Sequence, residues 1–145
     1  MELNEQLKLA IDLANKYHYG QVDKGGLPYV LHPFYVMDTV NGIEEKIVAV
    51  LHDIIEDTSI TVNDLISYGF DLNIVDAIVC ITKIDGESYS DYLKRVKDNE
   101  LARVVKLADL SHNMDISRLS NPTKTDYKRV ERYKKAYEYL MSDFG

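Results

Sequence analysis

The stretch Leu51-His52-Asp53-Ile54-Ile55-Glu56-Asp57-Thr58 constrains this chain more than any other. It sets a His-Asp pair and a Glu-Asp pair four residues apart. Its neighbours Ile47, Val48, Val50, Leu51, Ile54 and Ile55 are apolar. At about 100° per helical residue, His52, Asp53, Glu56 and Asp57 share one arc and the apolar residues fill the rest. A mostly buried helix would then carry three carboxylates and an imidazole on one strip. Unpaired buried charge is costly. A bound metal ion is the simplest partner that makes such a strip tolerable, and it points to an enzyme.

Helical patterns dominate elsewhere too. Leu3, Leu7, Ala10, Ile11, Ala14 and Tyr17 follow helical spacing, and Gly20 is the expected stop. Glycine and proline mark residues 20–28 as a loop. Pro33 is expected to open a short second helix and to hold His32 outside helical geometry just before it. A third helix is expected over about 44–57, carrying the opening motif. Thr61/Asp64, Ser88/Asp91 and Thr123/Asp126 resemble capping boxes, and Gly69 closes the helix begun at Thr61. Further helices are expected at about 71–82, 88–97, 100–116 and 124–142. The last places Tyr127, Val130, Tyr133, Tyr137 and Leu140 on one stripe. It leaves Lys128, Arg129, Arg132, Lys134 and Lys135 as a solvated face. No strand pattern, repeat or linker is evident, so the expectation is an all-α fold with a single domain over residues 1–145.

A chain of 145 residues, 46% hydrophobic, can bury a real core. Its one cysteine, Cys80, lies in the apolar run Ile78-Val79-Cys80-Ile81 and reads as a core residue. That excludes an internal disulfide and fits a reducing compartment. No apolar run reaches transmembrane length, and the N-terminus lacks the charge and hydrophobic block of a signal peptide. The expectation is a cytoplasmic protein with no membrane partner. A net charge of −7 and a pI near 5.0 argue against general nucleic-acid binding. They leave room for a small anionic ligand, which answers to the local field of a pocket. Oligomeric state is not set by these motifs.

His52 and Asp53 are the strongest ligand candidates. His32 follows, in Leu31-His32-Pro33. Asp109 is the fourth, on an otherwise apolar helical segment with Asn113 one turn later. Two imidazoles and two carboxylates suit a single borderline divalent ion, Mn²⁺ or Fe²⁺, better than Mg²⁺ or zinc. Such an ion would acidify a water and polarise a phosphoryl oxygen. Glu56 and Asp57, one turn beyond, could orient that water or carry its proton. His18 reads as a structural residue at a helix end. His112 points about 60° away from Asp109 on a helical wheel and reads as a supporting or structural residue. The eleven tyrosines read as core and surface residues rather than a stacking platform.

These residues resemble the HD-domain metal-dependent phosphohydrolases, and within them the Rel/Spo-type hydrolases of the alarmone (p)ppGpp. The resemblance rests on five ordered motifs. They are His18-Tyr19-Gly20-Gln21, Pro28-Tyr29-Val30-Leu31-His32-Pro33, Leu51 to Thr58, Ile81-Thr82-Lys83, and Val105-Lys106-Leu107-Ala108-Asp109 followed by His112-Asn113-Met114. It implies a compact helical HD fold, Mn²⁺ held by His32, His52, Asp53 and Asp109, and catalytic roles for Glu56 and Asp57. It also implies nucleotide contacts from Lys24, Thr82 and Asn113. The implied reaction removes pyrophosphate from a ribose 3′ position, and at this length the chain would be a stand-alone hydrolase. The chain departs from the family at two positions. Asp23 stands where the family has an Arg that packs on guanine, and Leu110 replaces a second Arg. An acid cannot make the cation–π contact. Another nucleotide or phosphorylated metabolite is therefore the alternative substrate, and a non-catalytic nucleotide-binding module the alternative function.

Overall fold

The structure, a computed structural model, describes residues 1–142. Helices follow one another as α1 (Leu3–Tyr17), α2 (Leu31–Thr39), α3 (Ile43–Leu51), α4 (Ile54–Asp57), α5 (Val62–Tyr68), α6 (Leu72–Ile81), α7 (Tyr89–Lys97), α8 (Glu100–Asn113) and α9 (Lys124–Met141). A 3-10 turn at Ile116–Arg118 joins the last two. Among the described residues the only extended pairing is a single antiparallel bridge between Val22 and Pro28. The expected starts are present. Thr61 and Asp64 exchange side chain and backbone bonds, as do Thr123 and Asp126. The Ser88 hydroxyl accepts from the Asp91 amide. Gly69 closes α5 at φ 97°, a conformation that suits a residue without Cβ.

At the centre lies α3. Ile47, Val48, Ala49, Val50 and Leu51 are all fully buried. Five buried residues in a row leave no solvent face, so neighbours must cover α3 on every side. They are α1, α2, α6 and α8. In turn α8 packs against α2, α3, α6, α7 and α9. The site is thus built at the end of one enclosed helix, α3, and along another, α8.

Three boundaries differ from the sequence expectation. The helix expected over about 44–57 is broken into α3 and α4. The His52 ring is the reason: its Nδ1 donates to the Ala49 carbonyl at 2.6 Å. An unbroken helix would offer that carbonyl to the Asp53 amide. Asp53 instead turns to φ −108°, ψ 2°, and its own carbonyl accepts from Asp57 N at 3.0 Å to start α4. His32, expected outside the helix, lies inside the first turn of α2 with Pro33 directly after it. A proline there sacrifices only an amide that has no intrahelical partner, so the helix can begin upstream of it. Finally, α8 ends at Asn113 rather than near 116.

Arg95 of α7 closes the C-terminus of α6. Its guanidinium donates to the carbonyls of Val79 (3.0 Å), Cys80 (2.8 Å) and Thr82 (3.0 Å), and it pairs with Glu87 at 2.7 Å. These are the terminal carbonyls that a helix cannot satisfy itself. The bend thus held carries Lys83, whose amide reaches Glu56 Oε1 at 2.6 Å. Arg95→Ala is expected to cost about 2 kcal/mol in urea unfolding, because several charge-assisted bonds to carbonyls are lost together. Arg95→Lys should recover less than half, since an ammonium cannot span three carbonyls.

Candidate metal centre and its cavity

Three elements converge on one point. α2 supplies His32, the α3–α4 joint supplies His52, and α8 supplies Asp109. One ligand atom from each lies within 4.8 Å of the others, and all three residues are buried. His32 Nε2 is 2.7 Å from Asp109 Oδ1 and His52 Nε2 is 3.2 Å from the same oxygen. Asp53 joins the group through His52, with Oδ2 3.0 Å from Nε2. The break at His52 makes this possible. It turns Asp53 towards the centre instead of continuing the helical register.

The chemistry of this set fits a divalent ion. His52 Nε2 is buried and forms no hydrogen bond among the described residues, despite its two carboxylate neighbours. Nδ1 of that ring is committed to the Ala49 carbonyl, which leaves the Nε2 lone pair for the centre. His32 is prepared in the same way. Its Nδ1 meets His112 Nδ1 at 2.7 Å. Burial, then Arg118 and His32, lower the His112 pKa to about 4. A neutral His112 can accept the His32 Nδ1 proton, so His32 Nε2 also presents its lone pair. His32, His52 and Asp109 form a candidate divalent-metal site.

Strong fields surround it. Burial would raise the Asp109 carboxyl, but Lys106, His32 and His52 outweigh burial and hold it well below the usual carboxylate range. Lys106 Nζ donates to Asp109 Oδ2 at 2.9 Å, and Asn113 Nδ2 donates to Oδ1 at 3.1 Å. Burial disfavours charge on His52, yet Asp53 and Asp109 pull its imidazole well above the ordinary value, so that an ion at the centre would displace a proton from Nε2 to reach its lone pair. The Tyr29 hydroxyl donates to Asp53 Oδ2. Burial and Asp53 together push the Tyr29 phenol far up, so it remains a donor. Burial also raises Glu56 and Asp57, reinforced by Asp53 in both cases. For Glu56 the Lys83 amide opposes the shift.

A cavity of about 610 Å³ opens over this centre. His32, Asp53, Glu56, Asp57 and Asp109 line its floor, and Lys24, Asn113, Arg118, Arg129 and Tyr133 are among its other walls. Of the three sequence-derived nucleotide contacts, Lys24 and Asn113 face the cavity. Thr82 does not line it, and its hydroxyl donates back to the Ile78 carbonyl at 2.7 Å. Asp23 organises the loop. Its Oδ1 accepts from the amides of Gly25 (2.9 Å) and Leu27 (3.0 Å), and Oδ2 lies 3.7 Å from Arg118. His18 is buried as expected, its Nδ1 2.9 Å from Gln21 Oε1, and Gln21 Nε2 donates to the Asp57 carbonyl. Arg129, expected on a solvated face, is a wall of the cavity and lies 3.3 Å from Asp126. Sequence reasoning assigned no part to Tyr29, Lys106 or Arg118. The only available signals were spacings: Tyr29 three residues before His32, and Lys106 one turn before Asp109.

No family model matches the chain. It is 29% identical over 125 residues to the guanosine-3′,5′-bis(diphosphate) 3′-pyrophosphohydrolase of Spiroplasma citri, covering 76% of this chain and 17% of that protein. With the enzyme of the same name from Borreliella burgdorferi it shares 29% over 122 residues, covering 72% and 18%. With the bifunctional (p)ppGpp synthase/hydrolase SpoT of Escherichia coli K12 it shares 28% over 125 residues, covering 76% and 18%. The chain resembles the Rel/Spo-type HD hydrolases. It spans under a fifth of the length of these curated relatives. A solved metazoan structure, described as an ortholog of SpoT that hydrolyses ppGpp, matches 94% of this chain and 86% of its own at TM-score 0.77 and 19% identity. The fold is therefore the compact all-α HD fold expected from the motifs. No helix among the described residues is long and apolar enough to cross a membrane.

Removing the Tyr29 hydroxyl frees Asp53 from its one neutral donor. Tyr29→Phe is expected to weaken divalent-ion binding by about tenfold, as is usual when a residue that orients a ligand is lost. Calorimetric titration of the metal-stripped protein reads this directly. Unchanged affinity would show that Tyr29 does not orient Asp53 for the centre.

Proposed function

We propose that this chain is a divalent-metal-dependent phosphohydrolase, a (p)ppGpp 3′-pyrophosphohydrolase, formed as a single HD domain over residues 1–145. The convergence of His32, His52 and Asp109 beneath a cavity with cationic walls carries the reading. Asp53 completes the ligand set. Two imidazoles and two carboxylates favour Mn²⁺, with Fe²⁺ as the alternative. A bound ion would supply Lewis acidity towards the phosphoryl group and a more acidic water.

The chain's own residues do the rest. Glu56 and Asp57 stand on the cavity floor one turn beyond Asp53, with carboxyls raised by burial. A carboxyl raised towards neutrality can take a proton from water and return it to the departing ribose oxygen. Water attacks the phosphorus attached to the 3′ oxygen, the P–O bond breaks, and that oxygen is protonated. The Glu56 carboxylate is held by the Lys83 amide, and α4 fixes the backbone of Asp57. Lys24, Asn113 and Arg129 face the same cavity and bind the nucleotide's phosphates and sugar, the last two from α8 and α9. Thr82, hydrogen-bonded to Ile78, acts by shaping the bend rather than by contact.

A second reading keeps the reaction and changes the nucleotide. Asp23 spends its carboxylate on loop amides and faces Arg118, so the base is not stacked on a cation at this position. A substrate panel with Mn²⁺ separates the two. GDP and pyrophosphate from ppGpp are expected, and no release from ppGpp with metal bound overturns the substrate. Asp53→Ala should abolish both metal binding and turnover. Glu56→Gln should keep the metal and lower kcat by about 10² to 10⁴-fold, the range for a proton-transfer group. In the wild type the acidic limb of kcat should lie above the ordinary carboxylate range, because activity falls as pH drops through a raised pKa. Glu56→Gln should move or remove that limb.

A further inference from the structure

A second cavity, of about 260 Å³, adjoins the first. The α6–α7 bend, α7, α8 and α9 enclose it, and its lining is Lys83, Tyr89, Tyr92, Lys106, Arg132 and Tyr133. Lys106 and Tyr133 are shared with the metal-centre cavity, so the two spaces meet at the residue that salt-bridges Asp109. The lining holds three cations and no carboxylate, in a chain of net charge −7.

The cations are arranged on an aromatic frame. Lys83 Nζ sits 5.5 Å from the centre of the Tyr89 ring, Lys106 Nζ 5.4 Å from Tyr92, and the Arg132 guanidinium carbon 5.9 Å from Tyr133. Such faces orient cations without neutralising them. Lys106 is paired with Asp109, and the cations around the metal-centre cavity likewise face acids: Lys24 and Arg129 face Asp126, and Arg118 faces Asp23. Among the described residues Lys83 and Arg132 form no ion pair. The Tyr89 hydroxyl supplies an independent observation. It is buried and has no hydrogen-bond partner among the described residues. Such a group is unfavourable unless something satisfies it. Burial raises this phenol, Tyr133 and Asp109 reinforce the shift, and Lys106 and Arg132 oppose it.

We propose that this cavity is an anion subsite that receives inorganic pyrophosphate as it leaves the metal centre. The unpaired Lys83 ammonium and Arg132 guanidinium match the oxygens of a condensed phosphate, Lys106 stands behind them paired with Asp109, and the Tyr89 hydroxyl donates to one of the anion's oxygens. The Lys83 amide on Glu56 sets the subsite directly beside the catalytic floor. The identity of the anion rests on the proposed reaction, whereas the anion-binding chemistry rests on the cavity alone.

The test uses the full chain, stripped of metal, titrated with sodium pyrophosphate in a calorimeter. Wild type is expected to bind one equivalent. The double variant Lys83→Gln/Arg132→Gln should bind about tenfold more weakly or worse, the loss typical of charge-assisted contacts. Tyr89→Phe should bind severalfold more weakly. Both exposed cations can be replaced without touching the core, and an unchanged thermal midpoint confirms it. The control Lys24→Gln/Arg129→Gln should lose less than the first double variant. Wild-type affinity in Lys83→Gln/Arg132→Gln, or no binding by the wild type, overturns the subsite. Binding that depends on Lys83 and Arg132 supports it whether or not ppGpp is hydrolysed, so the two readings fail separately.

Discussion

The Asp109 carboxylate is the interaction on which the rest of this structure depends. It is buried in α8, yet His32 from α2, His52 from the α3–α4 joint, and Lys106 and Asn113 from its own helix all reach it. A lone carboxylate at that depth would be protonated or would unfold its surroundings. Here it is held ionised by groups from three elements, so those elements must meet in one arrangement. Buried ion networks of this kind add little net stability against an apolar core of equal volume. Their presence in the most enclosed part of the fold is better explained by chemistry than by folding.

The same carboxylate explains the joint in the middle of the hydrophobic helix. A continuous α3–α4 would keep His52 and Asp53 about 100° apart around the axis. In the broken arrangement His52 Nε2 lies between the two acids, 3.0 Å from Asp53 Oδ2 and 3.2 Å from Asp109 Oδ1. Capping Ala49 with the His52 ring ends the helix between the buried Leu51 and Ile54 and turns Asp53 out of helical register. Tyr29 then holds Asp53, and the Tyr29 segment is itself fixed by the loop bonds between Gln21 and Tyr29 and between Asp23 and Leu27. A loop that is rich in glycine is thus tied to the metal centre through one phenol.

What was legible in the sequence follows from this. Residue type and spacing were enough for His32, His52 and Asp109, because few other arrangements make buried His and Asp tolerable. Capping pairs and Gly69 were legible because they act over three or four residues. The break at His52 was not, since helical periodicity cannot show that a side chain will take its own helix's carbonyl. Arg129 and Arg132 were read as solvent-facing because they lie off the apolar stripe of α9. Long cationic side chains can run along apolar surface and place only their heads in a cleft. Whether a cleft is there depends on where α9 lies against α8, and no local pattern reports that. Thr82 illustrates the converse: its position in a motif suggested contact, while its hydroxyl completes a helix end.

Charge separation reconciles a net charge of −7 with the polyanionic substrate we propose. The carboxylates on the cavity floor, Asp53, Glu56, Asp57 and Asp109, repel phosphate unless a divalent ion and Lys106 offset them. Cations lie farther out, and most are balanced there by an adjacent acid. A phosphate entering the metal-centre cavity must therefore compete with Asp23 and Asp126 for Arg118, Lys24 and Arg129. In the proposed reaction that competition lowers ground-state affinity at the rim and leaves Lys106 and a bound ion to act at the centre, where charge would develop during bond breaking. Binding energy realised only there accelerates the reaction, whereas equal binding of substrate and transition state does not. Under the proposed function, internally paired rim cations suit an acidic chain to turning over a polyanion rather than storing it.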